Sequence, residues 1–405
     1  MKGHFYKPHC KCTTKKCKCS ATWSYMIDVG INPANGRRKQ KKKGGFATKA
    51  EAELHAANLL IELKQGTYVE EKDIGFEEFA ETWIKAYSGS GKVKISTVDL
   101  RKTEINRLLK YLRFYKMKDI TLNIYQEMLY SMKSENRYEH NTLVGTHRTG
   151  KMIFKKAIEM NVIKKDPTEF SYIPKEQKTV EDLESAEEGV KYLEKEELKL
   201  FLDTAEVKGL ERDYVIFTLL SYTGMRAGEL CALKWKDIDF DNHEISITKT
   251  LYNPKNNATD YTLLTPKTAT SRRTINVAPE VIEVLKTHKK QQSETKMRFR
   301  DTYHDKDFVI AKASRTPGYP EMHQFINWRM NRLLKLCNLD ENLTPHSLRH
   351  THTSLLAEAG AELHEIMDRL GHKDDTTTET VYLHVTKSRK KDTSSKFSAL
   401  MKSIK

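Results

Sequence analysis

The sequence predicts a multidomain, mainly α protein that begins with a small three-stranded sheet packed on a helix. Three observations support this fold class. A period-two strand pattern dominates the start of the chain, helical periodicity dominates from about residue 73, and one short alternating stretch interrupts the last helical part. The 405 residues are sufficient for two to four domains.

The composition favours a globular protein with a polyanionic partner. Hydrophobic residues make up 38% of the chain, charged residues 31%, and the net charge is +15. Nucleic acid is the commonest partner for such an excess of positive charge. The longest apolar run, near "YVIFTLL", is far shorter than the roughly 20 residues of a membrane span, and no apolar secretory signal follows the N-terminus. We therefore expect a cytoplasmic protein with reduced thiols.

Residues 1–68 form the first predicted unit. "ATWSYMIDVGI" alternates as a half-buried strand, "NPANG" offers a turn, and "RRKQKKK" follows as a basic second arm. Thr48 and Glu51 predict a capping box for the following helix. A basic strand can enter a DNA major groove, which admits a two-stranded ribbon; a solvated charged hairpin is the alternative. The candidate DNA contacts are Arg37, Arg38, Lys39, Lys41, Lys42 and Lys43.

Two Cys-x-Cys pairs stand in the same unit, in "HCKCTTKKCKCS". Four thiolates this close in sequence can close a tetrahedral structural zinc site. The commoner structural spacing is Cys-x-x-Cys, so an exposed, basic, Cys-rich turn remains the alternative. The candidate metal ligands are Cys10, Cys12, Cys17 and Cys19.

Residues 73–170 predict a bundle of four or five helices. Apolar residues in "FEEFAETWIKAY" recur at spacings of three and four, and three later segments continue this pattern. Many lysines mark its surface. Residues 171–192 are polar and mixed in charge without an apolar stripe, which is typical of a linker.

Residues 193–405 predict a mostly helical α+β unit with one small sheet. "LEKEELKLFLDTAE", "ERDYVIFTLLSYTG" and "EMHQFINWRMNRLLKLCNL" have helical patterns. "HEISITKTLY" alternates as a strand, and "LLTPKTATSRRTINV" is expected to supply the other arm of its hairpin. The end of the unit carries Phe397, Leu400, Met401 and Ile404 at helical spacing, which predicts a short amphipathic tail helix.

Two motifs in this unit can bind an anion. In "LTPHSLRHTHTSLLAEAG", Thr344 can cap a helix whose first turn carries His346 and Arg349, three residues apart on one face. Free backbone N–H groups and the helix dipole favour phosphate there. In "SYTGMRAGELCALKW", a helix break precedes Arg226, and Glu229 can fix its guanidinium by a bidentate pair. A simple intrahelical ion pair is the alternative for the second motif.

"TGMRAGELCALKWKDID", "TPKTATSRRTI", "TPHSLRHTHTS" and an "LGH" followed by a tyrosine occur in the order and approximate spacing of the tyrosine recombinases of the phage-integrase type. The resemblance is close over about 193–390. The helical unit before it is similar to that family's core-binding, SAM-like domain. The first unit resembles the arm-type DNA-binding domain of integrases from prophages and conjugative elements of Gram-positive bacteria, and the Cys-x-Cys pairs depart from that pattern.

The resemblance implies a metal-independent, site-specific recombinase (integrase) of a prophage or other mobile element. Such an enzyme cleaves and rejoins DNA strands through a 3′-phosphotyrosyl intermediate and a Holliday junction, and it integrates and excises the element. It needs no cofactor for catalysis. The implied partners are double-stranded DNA with core and arm attachment sites, a homo-tetramer formed through the tail, and an excisionase or a host DNA-bending protein. The implied location is the bacterial cytoplasm, at the nucleoid.

The catalytic positions follow from the same motifs. The resemblance gives two arginines that clamp the phosphate, a hairpin lysine that protonates the leaving oxygen, two histidines that activate the tyrosine or bind the phosphate, and the tyrosine nucleophile. They fall on Arg226, Arg349, Lys267, His346, His372 and Tyr382. Glu229 supports the first arginine. One more residue than is usual in the family separates His372 from Tyr382, within "KDDTTTET".

Two alternatives use parts of the same sequence. A type IB topoisomerase has a similar catalytic pocket, but it needs no arm-type domain. A catalytically inactive DNA-binding regulator would not need all six catalytic positions to be filled.

Overall fold

A computed structural model describes residues 3–8, 10, 12, 19–31, 36–65, 73–135, 138–175, 191–266, 271–371, 376 and 378–383. The chain divides into two compact units, Met1–Lys178 and Thr179–Lys405. Among the described helices, none has both the length and the apolar character required to cross a membrane.

The first unit begins with an antiparallel sheet of order β1-β2-β3, formed by Gly3–Tyr6, Trp23–Ile31 and Arg38–Phe46. Helix α1 (Lys49–Lys64) packs its small residues Ala52 and Ala56 against Tyr25, Ile27 and Phe46 of the sheet. The expected sheet and helix are therefore confirmed.

The start of α1 differs in one detail from the predicted capping box. The Thr48 hydroxyl accepts the Glu51 N–H at 3.2 Å, as expected. The Glu51 carboxylate accepts the N–H of Ala47, at 3.0 Å, one residue before the expected donor.

Four helices follow in the first unit: α2 (Phe76–Gly89), α3 (Ile95–Leu112), α4 (Leu122–Ser134) and α5 (His140–Glu159). Their apolar faces meet in one core that contains Phe76, Phe79, Leu108, Tyr125 and Phe154. The predicted helical bundle is confirmed, because the spacing of three and four places these side chains on inward faces.

The second unit has seven longer helices in its described part. They are α6 (Lys195–Lys208), α7 (Asp213–Thr223), α8 (Ala227–Ala232), α9 (Pro279–Phe299), α10 (His323–Cys337), α11 (Pro345–Ala359) and α12 (Leu363–Leu370). Helix α7 lies at the centre, with Ile216, Phe217, Leu219 and Leu220 fully buried. Because α7 is packed on all sides, the turn at its end has a fixed position in the unit.

The second unit contains two small sheets. Strands β4 (Ile238–Asp239), β5 (Glu244–Ile247) and β8 (Arg273–Asn276) form one sheet, and β6 (Thr250–Tyr252) pairs with β7 (Thr262–Leu264) in the other. The pairing of β5 with β8 and of β6 with β7 confirms the predicted hairpin. The expected strand "HEISITKTLY" is interrupted before Thr250. Lys249 turns there to form an ion pair with Asp237 at 2.5 Å, so the two halves of the segment take different partners.

Candidate functional site

The turn between α7 and α8 positions Arg226. Helix α7 ends at Thr223, Gly224 closes it with φ of 60°, and Arg226 is the N-cap residue of α8. A Cβ atom on Gly224 would lie only 2.7 Å from side-chain carbons of His352 and Leu370. Glycine is therefore required there both by the left-handed backbone and by the close approach. The turn leaves the Arg226 side chain 39% exposed.

Glu229 lies one turn into α8 and is buried, with its side chain 4% exposed. One carboxylate oxygen accepts a hydrogen bond from the Arg226 guanidinium and the other accepts one from the Arg226 backbone N–H, each at 3.0 Å. The bidentate pair predicted with Arg226 is therefore wrong. Arg273 of β8 takes that place instead, with Nη2 and Nη1 at 2.9 and 3.5 Å from the two carboxylate oxygens.

The electrostatics keep Glu229 ionised. Burial alone would raise the pKa of Glu229, but the charge and hydrogen bond of Arg273, with the backbone N–H and charge of Arg226, outweigh it and lower the pKa below its ordinary value. A carboxylate that stays charged can fix both guanidinium groups.

Helix α11 carries the second motif and begins as the sequence predicts. Thr344 is the N-cap, Pro345 is the first helical residue, and Thr344 forms a capping box with Ser347. His346 and Arg349 differ in exposure, since His346 is exposed and Arg349 is 2% exposed. The His346 ring stands edge-on to the ring of His350, with centroids 4.8 Å apart.

Arg349 ties two chain segments together from inside the unit. Its Nη1 donates to the carbonyl of Gly224 at 2.6 Å, and its Nη2 donates to the carbonyl of Leu370 at 2.7 Å. The first carbonyl belongs to the turn before Arg226, and the second ends α12, two residues before His372. Arg349 therefore links the Arg226 turn to the segment that leads toward the proposed nucleophile.

Arg369 and His352 belong to the same network and were not predicted. The Arg369 guanidinium donates to His352 Nε2 at 3.1 Å and to the carbonyls of Tyr222 and Asn276 at 3.2 and 3.0 Å. The Nδ1 of His352 donates to the Ser221 carbonyl at 2.8 Å, which fixes the tautomer. Burial, followed by the charge of Arg369, lowers the pKa of His352 to about 3, so the ring is neutral.

Tyr382 lies in the helical residues 378–383 and is half-buried. It packs against the small cluster of Ala357, Ile366 and Leu370. Leu370 is therefore a member of the cluster against which Tyr382 packs, and its carbonyl accepts a hydrogen bond from Arg349. Two predicted catalytic residues, Lys267 and His372, lie outside the described residues, as does half of the segment with the extra residue.

The basic residues predicted to contact DNA lie on and beside β3, an edge strand of the first sheet. Arg37, Arg38, Lys39, Lys42 and Lys43 are exposed, and Lys41 is half-buried. Lys43 donates to His55 Nε2 at 3.0 Å, and the Arg38 guanidinium lies 3.8 Å from the carboxylate of Asp28.

Three of the four N-terminal cysteines are brought together. The Sγ atoms of Cys10, Cys12 and Cys19 all lie within 4.8 Å of one another, and those of Cys10 and Cys19 are 3.6 Å apart. A Zn–S bond of about 2.3 Å in a tetrahedral site places sulfurs roughly 3.8 Å apart, so this cluster fits a thiophilic metal. Cys17 lies outside the described residues.

Comparison with known proteins now decides the family. Residues 191–389 match the Phage integrase family, residues 13–63 an Arm DNA-binding domain, and residues 75–133 the Phage integrase, N-terminal SAM-like domain. The chain is 31% identical over 345 residues to the integrase of Staphylococcus phage L54a, an alignment that covers 82% of this chain and 94% of that protein. The chain belongs to the phage integrase family. The expected tyrosine recombinase class is thereby confirmed.

Solved structures of integrases share the fold of this family member. The Tn1549 transposon integrase in complex with a circular intermediate DNA is 25% identical, with a TM-score of 0.59, over 75% of this chain and 94% of that chain. A lambda integrase tetramer bound to a Holliday junction is 18% identical, with a TM-score of 0.52, over 89% of this chain and 92% of that chain. The predicted fold class is therefore confirmed.

Proposed function

We propose that the chain is a site-specific DNA recombinase that integrates and excises a mobile element or prophage. The observation that carries the proposal is that Arg226, Arg349 and Tyr382 are held by one set of contacts. Arg349 donates to the turn that presents Arg226 and to the carbonyl of Leu370, a member of the small cluster against which Tyr382 packs. This arrangement supports the assignment of Arg226 and Arg349 to phosphate binding and of Tyr382 as the nucleophile.

The chemistry follows from these residues. A phosphodiester is already anionic and resists attack, so Arg226 and Arg349 are assigned to the nonbridging oxygens, where charge grows in the transition state. The phenol of Tyr382 loses its proton with the help of His346. Its oxygen bonds to phosphorus, and the bond to the 5′-oxygen breaks.

The leaving 5′-oxygen takes a proton, which is the role assigned to Lys267. His372 is assigned a hydrogen bond to the phosphate. The resulting 3′-phosphotyrosyl bond retains the energy of the broken bond. Attack by the 5′-hydroxyl of a second duplex then restores the phosphodiester and the free tyrosine, with the strands exchanged.

A suicide duplex tests this function. It carries the attachment core that flanks the gene, with a nick that lets the cleaved 5′ end diffuse away. We expect wild-type protein to form a covalent protein–DNA adduct on denaturing gels, and Tyr382→Phe to form none. Tyr138→Phe, in the first unit, is the matched control and should retain the adduct. Absence of an adduct with the wild-type protein would count against the function.

The remaining assignments concern domains and partners. We propose that residues 1–68 bind arm sites through β3 and that residues 73–170 bind the core site. Residues 171–192 are assigned as the linker to the catalytic unit, and residues 193–405 are assigned to DNA cleavage and rejoining. The tail, with Phe397, Leu400, Met401 and Ile404, is assigned to contacts between protomers in a DNA-bound homo-tetramer; it lies outside the described residues. An excisionase or host DNA-bending protein completes the proposed assembly, in the bacterial cytoplasm at the nucleoid.

We further propose that the cysteine cluster holds a structural Zn²⁺. Cys10, Cys12 and Cys19 would supply three thiolates, and Cys17 is the proposed fourth ligand. The metal would close the connection between β1 and β2, because Cys10 and Cys19 both lie within it. Metal analysis of the purified full chain tests this. We expect one zinc per chain, lost in Cys10→Ser; less than about a tenth of that stoichiometry would contradict the site.

A further inference from the structure

Arg273 stands out among the charged residues of the second unit because it is buried, highly connected and outside the proposed catalytic set. Its side chain is 5% exposed. It lies on β8, opposite Ile247 of β5. A guanidinium this enclosed is poorly placed to touch DNA, so its contacts within the protein define what it can do.

One group of contacts leads to Arg226. Arg273 holds both oxygens of Glu229, and Glu229 in turn accepts hydrogen bonds from the side chain and the backbone N–H of Arg226. Arg226 is more exposed than Glu229 and depends on this carboxylate for its orientation. Loss of Arg273 would leave a buried carboxylate with half of its cationic partners.

Besides a local hydrogen bond to the Ser271 carbonyl at 3.2 Å, a further contact leads to Arg349. The Nε of Arg273 donates to the carbonyl of Arg369 at 2.8 Å. The next carbonyl along the chain, that of Leu370, accepts a hydrogen bond from Arg349 at 2.7 Å. Arg273 and Arg349 thus hold adjacent peptide groups at the end of α12.

We propose that Arg273 is a positioning residue that couples the two arginines of the phosphate clamp, holding Arg226 through Glu229 and Arg349 through the Arg369–Leu370 backbone. The inference rests on the proposed function, because it assigns Arg273 to the geometry of that same site. Its consequence is that the removal of one buried side chain disturbs both ends of the clamp.

The charge balance around Glu229 supplies a specific signature. Arg226 faces it from α8 and Arg273 from β8. Arg273 also donates to the backbone of Arg369 of α12, whose guanidinium bonds the neutral His352 of α11, and Arg349 of α11 bonds the Gly224 turn. Without Arg273, the effect of burial would raise the pKa of Glu229. Protonation at mildly acidic pH would then release Arg226, and cleavage would slow as the pH falls.

The test is single-turnover cleavage of the suicide duplex between about pH 5 and pH 8. We expect Arg273→Gln to slow cleavage roughly 10- to 100-fold at neutral pH, the cost of a misplaced catalytic group. On the acid side of the pH profile, which we call the acid limb, the cleavage rate of Arg273→Gln should begin to fall at a higher pH than that of the wild type. Arg273→Lys, which keeps a charge, should restore the wild-type position of the limb in part. Arg272→Gln, which removes the exposed neighbouring charge, should keep the wild-type pH profile.

The double variant Arg273→Gln with Glu229→Gln separates positioning from general damage. Since Gln does not titrate, the displaced acid limb should vanish, although the rate stays low. A wild-type rate in Arg273→Gln, or a slowed rate with an unchanged pH profile, would overturn the inference. If circular dichroism shows that Arg273→Gln is not folded, the pH profile of Arg273→Lys is compared with that of the wild type instead. An acid limb at the same pH in both proteins overturns the proposal. A wild-type protein without adduct would instead refute the proposed function.

Discussion

We expect acidification to destabilise the protein through the buried, neutral imidazole of His352. This side chain is 6% exposed and lies between the Ser221 carbonyl and the Arg369 guanidinium. Burial, followed by the charge of Arg369, lowers its pKa from 6.5 to about 3. Below pH 6.5 the unfolded chain binds a proton at this residue that the folded chain does not. Stability is therefore present above the pKa of the unfolded state and is lost as the pH falls toward the folded pKa.

The magnitude follows from the gap between the two pKa values. Each pH unit below the unfolded pKa costs about 1.4 kcal/mol until the folded pKa is reached. At pH 5, well above the folded pKa, the loss from this one group is about 2 kcal/mol relative to neutral pH.

Urea unfolding at pH 7 and pH 5, followed by circular dichroism, measures this loss. His352→Gln keeps an acceptor for Arg369 but does not titrate, so we expect the wild type to lose about 2 kcal/mol more than this variant on acidification. His364→Gln, whose side chain is 72% exposed in the wild type, is the control and should follow the wild type. Equal pH dependence of the free energy of unfolding in wild type and His352→Gln would show that the pKa of His352 is not lowered in the folded protein.

Two further predictions concern DNA and assembly. Replacement of Arg38 and Lys39 by Gln should weaken arm-site binding. It should also reduce the slope of log K against log salt concentration by about 0.9 for each phosphate that the variant no longer neutralises. Lys64→Gln, on α1, is the control, and an unchanged slope in the Arg38/Lys39 variant would show that β3 does not contact the DNA. Deletion of residues 392–405 should reduce synapsis and recombination much more than single-site DNA binding, as measured by gel shift and by recombination between two attachment sites. Full recombination by the truncated chain would exclude the tail from the assembly.

Local chemistry made several features predictable from the sequence. Thr344, Pro345 and Gly360 mark α11 because a cap, a first-turn proline and a left-handed glycine each depend on neighbouring residues only. The spacing of Phe76 and Phe79 likewise predicts the inner face of α2. These signals need no knowledge of distant contacts.

Distant contacts account for what the sequence did not predict. Arg273 is 44 residues from Glu229, and its second partner is a backbone carbonyl, which leaves no trace in residue type. Arg369 likewise bonds carbonyls from two other elements. The one usable signal was Glu229 itself, since a buried carboxylate needs more cationic partners than one half-exposed arginine supplies.

The hairpin predicted from residues 243–252 and 263–277 is confirmed, but each of its arms is divided into two strands. Alternation continues from β5 into β6, but the ion pair between Lys249 and Asp237 redirects the chain between them. Such a contact depends on where Asp237 lies in the folded unit, which periodicity does not report.

Tyr382 is assigned as the nucleophile, and residue-level mapping of the adduct shows which side chain attacks the DNA. Wild-type protein trapped on the suicide duplex is digested with protease and nuclease, and the modified peptide is sequenced by mass spectrometry. We expect a nucleotide 3′-phosphate on the peptide that contains Tyr382, attached to that tyrosine. A nucleotide on any other residue would contradict the assignment.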